Sequence, residues 1–119
     1  MDEPEPNEEE QQMEVRINKE IDKLKYYLEQ TDDLINEKDY KEMETVSKRT
    51  TSILDEIYNL VSRMQEVKVE RGTYTARTIR QWKKNTKDKY SPWIAEINKL
   101  ADVLTKRNNE IANEEEKRK

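Results

Sequence analysis

The residues best suited to chemistry in this sequence are basic and lie between positions 68 and 89. This segment holds eight Lys or Arg residues against two acidic ones, in a chain of 119 residues whose formal net charge is −4. A helix turns about 100° per residue, so four of the basic residues share a sector that lies away from Ile79, Trp82 and Thr86. The candidate residues for binding anions or nucleic acid are Arg77, Arg80, Lys83, Lys84 and Lys87.

This basic stripe has two interpretations. Phosphate backbones and anionic lipid headgroups select such a stripe, because Lys and Arg displace their counterions, so the stripe could bind RNA or an anionic membrane. Alternatively, it is a solvated face whose positive charge balances the acidic helices beside it. A pI near 5.1 argues against a dedicated nucleic-acid binder. Trp82 and Trp93 could stack on bases, but their place on the apolar side of the helix favours core packing.

Most catalytic chemistry is excluded by composition. The sequence contains no Cys and no His, which removes thiolate nucleophiles, imidazole bases and the usual zinc ligands. Its single Gly cannot build a phosphate-binding loop. The acidic runs at residues 8–10 and 114–116 lack the loop spacing of a calcium site. We therefore predict a protein that is not an enzyme and has no cofactor, no metal and no small-molecule substrate.

The elements that must position the stripe are helices arranged around the stretch from Asp39 to Val69. In this stretch apolar or small residues recur at alternating steps of three and four, which places them on one face of a helix: Met43, Val46, Thr50, Ile53, Ile57, Leu60, Met64 and Val67. A helix with one apolar face is marginal alone and must bury that face against another element.

Two flanking stretches can cover this face, which predicts an all-α, antiparallel three-helix bundle. We expect helices near residues 12–36, 39–70 and 75–114, with the third kinked or split at Pro92, since proline removes a backbone donor. The predicted bundle core consists of Ile17, Ile21, Leu24, Leu28, Ile35, Val46, Ile53, Ile57, Leu60, Met64, Ile79, Trp82, Trp93, Ile97, Leu100 and Leu104.

The helix boundaries follow from local signals. Gly72 can take the left-handed conformation that closes a helix, and Thr73 or Thr75 can cap the next one. A turn at residues 36–38, with Asp39 as the following cap, absorbs a loss of phase between Ile35 and Met43. The alternative is one uninterrupted helix from about residue 13 to 69 in an intermolecular coiled coil.

Outside a bundle domain at residues 13–114 we expect little order. Residues 1–12 are acidic and predict a disordered tail, which is a solubilising arm, a decoy for basic partners or a cover for a basic face. Residues 115–119 are expected to fray. No apolar run resembles a signal peptide or transmembrane segment, so we expect a soluble intracellular protein, in the cytoplasm.

One segment resembles a known family. The run SRMQEVKVERGTYTARTIRQWKKNTKDKYSPWIAEINKL, residues 62–100, is similar to the N-terminal helical region of Gag-type proteins from Pao/BEL-like retrotransposons. The resemblance covers about a third of the chain and rests on a helical hairpin followed by a basic segment containing Arg80, Trp82, Lys83 and Lys84. It implies self-association and RNA contact. The predicted architecture is also similar to spectrin-type three-helix repeats, which share long helices, a buried Trp and high charge.

These features predict a helical-bundle or coiled-coil scaffold for protein–protein interaction or self-assembly, with a protein partner or a second copy of the chain. The alternative function is RNA or anionic-membrane binding through the basic stripe.

Overall fold

The computed structural model describes residues 5–117, and this part of the chain contains helices and no strand. Its elements are α1 (Glu8–Leu28), α2 (Thr31–Glu37), α3 (Tyr40–Arg71) and α4 (Ala76–Lys117). Three long helices and one short one form an elongated bundle that measures 67 × 25 × 20 Å. The prediction of an all-helical fold is confirmed.

One apolar core joins the three long helices. α3 contacts both α1 and α4, as expected for the central stretch, and Ile57 and Leu60 expose 0% and 2% of their surface. The predicted core residues that are buried are Ile17, Ile21, Leu24, Leu28, Val46, Ile57, Leu60, Met64, Ile79, Ile97 and Leu100. The others are half-buried and pack against this core: Ile35, Ile53, Trp82, Trp93 and Leu104.

The predicted turn at Gly72 is present, and the turn predicted at residues 36–38 begins at Lys38, because residues 36 and 37 still belong to α2. The helix α3 ends at Arg71 and is closed by Gly72, whose φ of 71° is the left-handed conformation. The Thr75 hydroxyl accepts from the Thr78 backbone N–H at 3.1 Å to cap α4. Lys38 also has a left-handed backbone, with φ 57°, and the Asp39 side chain accepts from the Glu42 backbone N–H to begin α3. The uninterrupted helix across residues 36–38 is therefore wrong.

The first predicted helix is divided in two, which periodicity did not indicate. α1 ends at Leu28 and α2 begins at Thr31. The buried Thr31 hydroxyl donates to the Leu28 carbonyl at 2.8 Å, so a side chain meets a carbonyl at the end of α1. Thr31 therefore lies in the apolar seam as a polar residue whose hydroxyl satisfies a carbonyl at the end of α1.

The ordered helices are longer than predicted. α1 begins at Glu8, so the expected disorder up to residue 12 is corrected for residues 8–12, and residues 1–4 lie outside the described part. The physical reason is a capping box, in which Asn7 and Glu10 satisfy each other's backbone N–H groups. α4 continues to Lys117 without a split at Pro92, so residues 115–117 are helical, while residues 118–119 are not described.

Candidate interaction surface

The basic stripe, defined as Arg77, Arg80, Lys83, Lys84 and Lys87, lies on the outer face of α4. All five side chains are exposed, and none forms an ion pair with any residue between 5 and 117. The opposite face of the same helix buries Ile79, Thr86 and Tyr90. The helical period therefore places the cations in solvent, where they are available to an anionic partner.

Three other basic residues of the 68–89 segment have different roles. Lys68 exposes only 6% of its surface and pairs with Glu10, and Arg71 pairs with the same carboxylate. Lys89 lies 3.8 Å from Glu14 and donates to the Asn18 side chain. These three side chains join α4 or α3 to α1, so the available basic surface is narrower than the run of charges in the sequence.

The buried carboxylate of Glu10 is the centre of a cluster that we call the Glu10 clamp, consisting of Glu10, Lys68, Arg71 and Tyr74. Its two oxygens accept from Lys68 Nζ at 3.0 Å and from Arg71 Nη1 at 2.6 Å. Arg71 Nη1 also lies 2.7 Å from the backbone carbonyl of Glu5. The clamp thus ties the beginning of α1 to the end of α3.

The aromatic rings of the clamp region lie around its buried cation. Lys68 Nζ is 4.2 Å from the centre of the Tyr74 ring and 5.2 Å from that of Trp82. Both distances allow a cation–π contact, which is strongest where the cation is withdrawn from water. Trp82 also donates from Nε1 to Glu14 at 3.2 Å. Its ring packs against the core, as predicted, whereas its indole N–H bonds to a carboxylate.

The clamp changes the protonation of its members. Burial alone would raise the pKa of Glu10, but hydrogen bonds from the Asn7 backbone, Tyr74 and Lys68 outweigh it and lower the pKa to about 2. Burial and the hydrogen bond to Glu10 raise the pKa of the Tyr74 phenol. Glu10 is therefore ionised and Tyr74 neutral at physiological pH, which preserves the ion pairs.

The cavity beside the clamp is small. It has a volume of about 140 Å³ and is lined by Glu10, Lys68 and Tyr74 of the clamp together with Pro6, Glu14, Met64, Thr78 and Trp82. Its polar groups already pair with one another, and no buried side-chain nitrogen or oxygen in residues 5–117 lacks a hydrogen-bond partner. Within the same residues no group of three acidic side chains is arranged to hold a metal ion. The clamp is thus best explained as a structural cluster that joins α1 to α3.

Sequence reasoning missed Glu10, because it placed residues 1–12 in a disordered tail. The signal that could have found it is the spacing of Asn7 and Glu10, which is that of a capping box before an apolar helix. The alternative of an acidic segment that covers basic residues comes closest to the structure, since Glu10 neutralises Lys68 and Arg71.

The large apolar side chains left exposed are dispersed over three helices: Val15 and Tyr26 on α1, Tyr58 and Val69 on α3, and Ile111 on α4. Single exposed apolar residues are normal on a protein surface. The charged outer face of α4 is therefore the better candidate for an interaction surface. No helix in the described part of the chain is long and apolar enough to cross a membrane.

No protein-family model matches this sequence, and neither curated proteins nor solved structures include a significant match to it. Its function must therefore be inferred from its own residues.

Proposed function

We propose that this chain is a non-enzymatic helical-bundle module for protein–protein interaction or self-assembly. The observation that carries the proposal is the length of α4. Its 42 residues correspond to about 63 Å of helix, so it extends along the whole 67 Å of the molecule. From residue 108 to 117 every side chain is exposed. This segment is helical and contains no buried residue.

An exposed helical extension is a candidate surface for binding a partner. Isolated helices of about ten residues are marginal in water, and most helical stability in proteins comes from packing against another element. Toward the end of α4 the Arg107 guanidinium lies 4.9 Å from the centre of the Tyr40 ring, and Glu110 lines a groove with Lys38 and Tyr40. Packing of residues 108–117 against a second chain would extend the stabilisation past that point. The Gag resemblance implies self-association as well.

The proposal includes the finer geometry of the bundle. Pairs between α1 and α3 join early residues to late ones: Glu10 to Lys68, Arg16 to Glu56, and Tyr27 to Arg49. Pairs between α1 and α4 instead advance together, from Glu14 with Trp82 to Asn18 with Lys89. These contacts support an antiparallel three-helix arrangement. We also place a bend at Pro92, because proline removes a donor and crowds the preceding turn.

Light scattering tests the proposal directly. The mass of the whole chain, measured at two concentrations about a hundredfold apart, is expected to rise with concentration. A chain that ends at Arg107 is expected to stay monomeric, and its far-ultraviolet circular dichroism checks that the bundle persists. A monomeric mass for the whole chain at both concentrations would rule out self-assembly and leave only binding to a different protein.

A second candidate function is RNA or anionic-membrane binding, favoured by the five exposed and unpaired cations of the basic stripe. Phosphate contacts weaken steeply between about 50 and 200 mM salt. The double variant Arg80→Glu with Lys84→Glu is expected to abolish binding to RNA or to vesicles containing phosphatidylserine. The matched control reverses Lys19 and Lys48, which are exposed on α1 and α3. Equal loss in both variants would show that only net charge matters.

A further inference from the structure

The outer face of α4 changes character along its length. It begins with the basic stripe at residues 77–87 and ends in a segment with four acidic residues followed by Lys117. Between them the face carries Asp88, Ser91, Ala95, Asn98, Lys99, Asp102 and Lys106. We call the four acidic residues the acidic end: Glu110, Glu114, Glu115 and Glu116. Ser91 and Ala95, near the middle of this face, have small side chains, so another helix could approach the face closely there.

The two charged zones lack ion-pair partners. No member of the acidic end forms an ion pair within residues 5–117, and the same holds for the basic stripe. The basic stripe is positively charged and the acidic end is negatively charged, so each zone could form ion pairs with the other. They cannot meet within one molecule, because about 30 residues of continuous helix, roughly 45 Å, separate their centres.

Resting on the proposed self-assembly, we infer that two copies of the chain pair through antiparallel α4 helices, with the acidic end of each over the basic stripe of the other. Such a pair has twofold symmetry, so one surface serves both copies. The centres of the two charged zones lie near residues 82 and 113, which places the symmetry axis near Asn98. Ala95 and Asn98, both exposed, are then the residues at the crossing.

The directions of two of the four acidic side chains fit this arrangement, whereas Glu114 and Glu115 lie about 100° and 200° from the direction of Arg77. At about 100° per residue, Glu110 and Glu116 flank the direction of Arg77 by roughly 60° on either side. A contact strip about 60 Å long and about 10 Å wide covers about 600 Å² on each copy, or about 1,200 Å² in total. This area is at the low end for stable interfaces, so the dimer depends on charge and weakens with salt.

A second copy explains more of the surface than a nucleic acid does. RNA would neutralise the basic stripe but would leave the acidic end unpaired and repelled. A second copy pairs both zones at once, and opposite-charge complementarity also fixes the relative direction of the helices.

A charge-exchange experiment tests the dimer by sedimentation velocity at about 50 mM NaCl. Variant one carries Arg80→Glu and Lys84→Glu, and variant two carries Glu110→Lys and Glu116→Lys. All four residues are exposed, and circular dichroism checks the fold of each variant. Each variant alone is expected to dimerise at least about tenfold more weakly than the natural chain, since both of its contacts lose most of their opposite-charge attraction. An equimolar mixture is expected to recover part of the dimer, because the natural basic stripe of variant two then meets the natural acidic end of variant one.

The remaining outcomes overturn the inference in distinguishable ways. If the natural chain oligomerises and both variants do so equally well, this interface is wrong but self-assembly stands. If the natural chain is monomeric, self-assembly fails as well. If variant two binds a single-stranded oligouridylate more tightly and the mixture forms no dimer, the stripe is a nucleic-acid surface. The control that reverses Lys19 and Lys48 is expected to keep the dimer.

Discussion

The two ends of the bundle are held together by different interactions. The clamped end comprises residues 5–14 and 68–82, where the buried carboxylate of Glu10 joins Lys68 and Arg71. The open end comprises residues 29–43 and 99–117, where the closest ion pair joins exposed Lys99 to exposed Asp32 at 2.6 Å. The bonds at the clamped end are shielded from water, whereas the charges at the open end are screened by it.

This difference shows where the molecule needs a fixed geometry. The clamped end holds the start of α4 through Trp82 and Glu14, and the basic stripe begins there with Arg77, the second residue of α4. The open end lets α4 continue past the last packed residues. One end positions the basic stripe and the other leaves the end of α4 exposed, as the proposed interaction module requires.

Removal of the Glu10 carboxylate is expected to have the largest effect on stability. Glu10→Ala leaves Lys68 buried without its partner, and breaking one side of a buried ion pair costs about 3 kcal/mol. Urea unfolding measures the loss. The matched control is Glu9→Ala, an exposed neighbour in the same helical turn, which is expected to change stability by less than about 0.5 kcal/mol. Equal effects would mean that the clamp contributes nothing beyond the helix end.

The clamp also predicts an acid-labile end. The pKa of Glu10 falls from 4.5 to about 2 on folding, so its contribution to stability is present above the unfolded pKa and is lost as pH falls from about 4.5 toward 2. The natural chain is therefore expected to lose more unfolding free energy over this window than Glu10→Gln does. Parallel urea titrations at several pH values measure the difference. Parallel curves for the two proteins would contradict the assignment.

Gly72 closes the clamped end, and its replacement is expected to have an intermediate effect. An added Cβ at Gly72 meets no atom within 4 Å, so the cost of Gly72→Ala comes from the left-handed backbone alone. We expect a loss of about 1 kcal/mol in the free energy of unfolding. Thr73→Ala, at an exposed neighbouring position, is the control. A neutral Gly72→Ala would indicate that this loop relaxes to a different conformation.

The sequence predicted the features that depend on local pattern. The period of Ile57, Leu60 and Met64 located the core face of α3, and Gly72 and Asp39 marked its two ends. These signals act within a few residues, where helix geometry relates spacing directly to position.

Features that depend on distant partners could not be predicted in the same way. Lys68 appeared as one more cation in a basic run, because its partner Glu10 lies 58 residues away in sequence. Glu10 in turn appeared as one of several acidic residues in a tail. Charge composition states how many cations exist but not which of them the fold buries.

The turn at the open end allows the reverse substitution to Gly72→Ala, because Lys38 has a left-handed backbone without being glycine. Lys38 holds φ 57°, and its backbone N–H and that of Asp39 close α2 onto the carbonyls of Ile35 and Leu34. This position usually holds Gly, because a side chain strains the left-handed conformation. Lys38→Gly removes that strain but increases the entropy of the unfolded chain, so we expect a net gain of about 0.5 kcal/mol.

Lys38→Ala is the control, since it removes the charge but keeps a Cβ and therefore gains nothing. The same unfolding titration that measures Gly72→Ala measures both variants. Opposite signs for Gly72→Ala and Lys38→Gly would show that two turns of the same backbone geometry are optimised unequally, with the better residue at the end that orients the basic stripe. A destabilising Lys38→Gly would instead mean that the lysine side chain stabilises the open end through its own contacts.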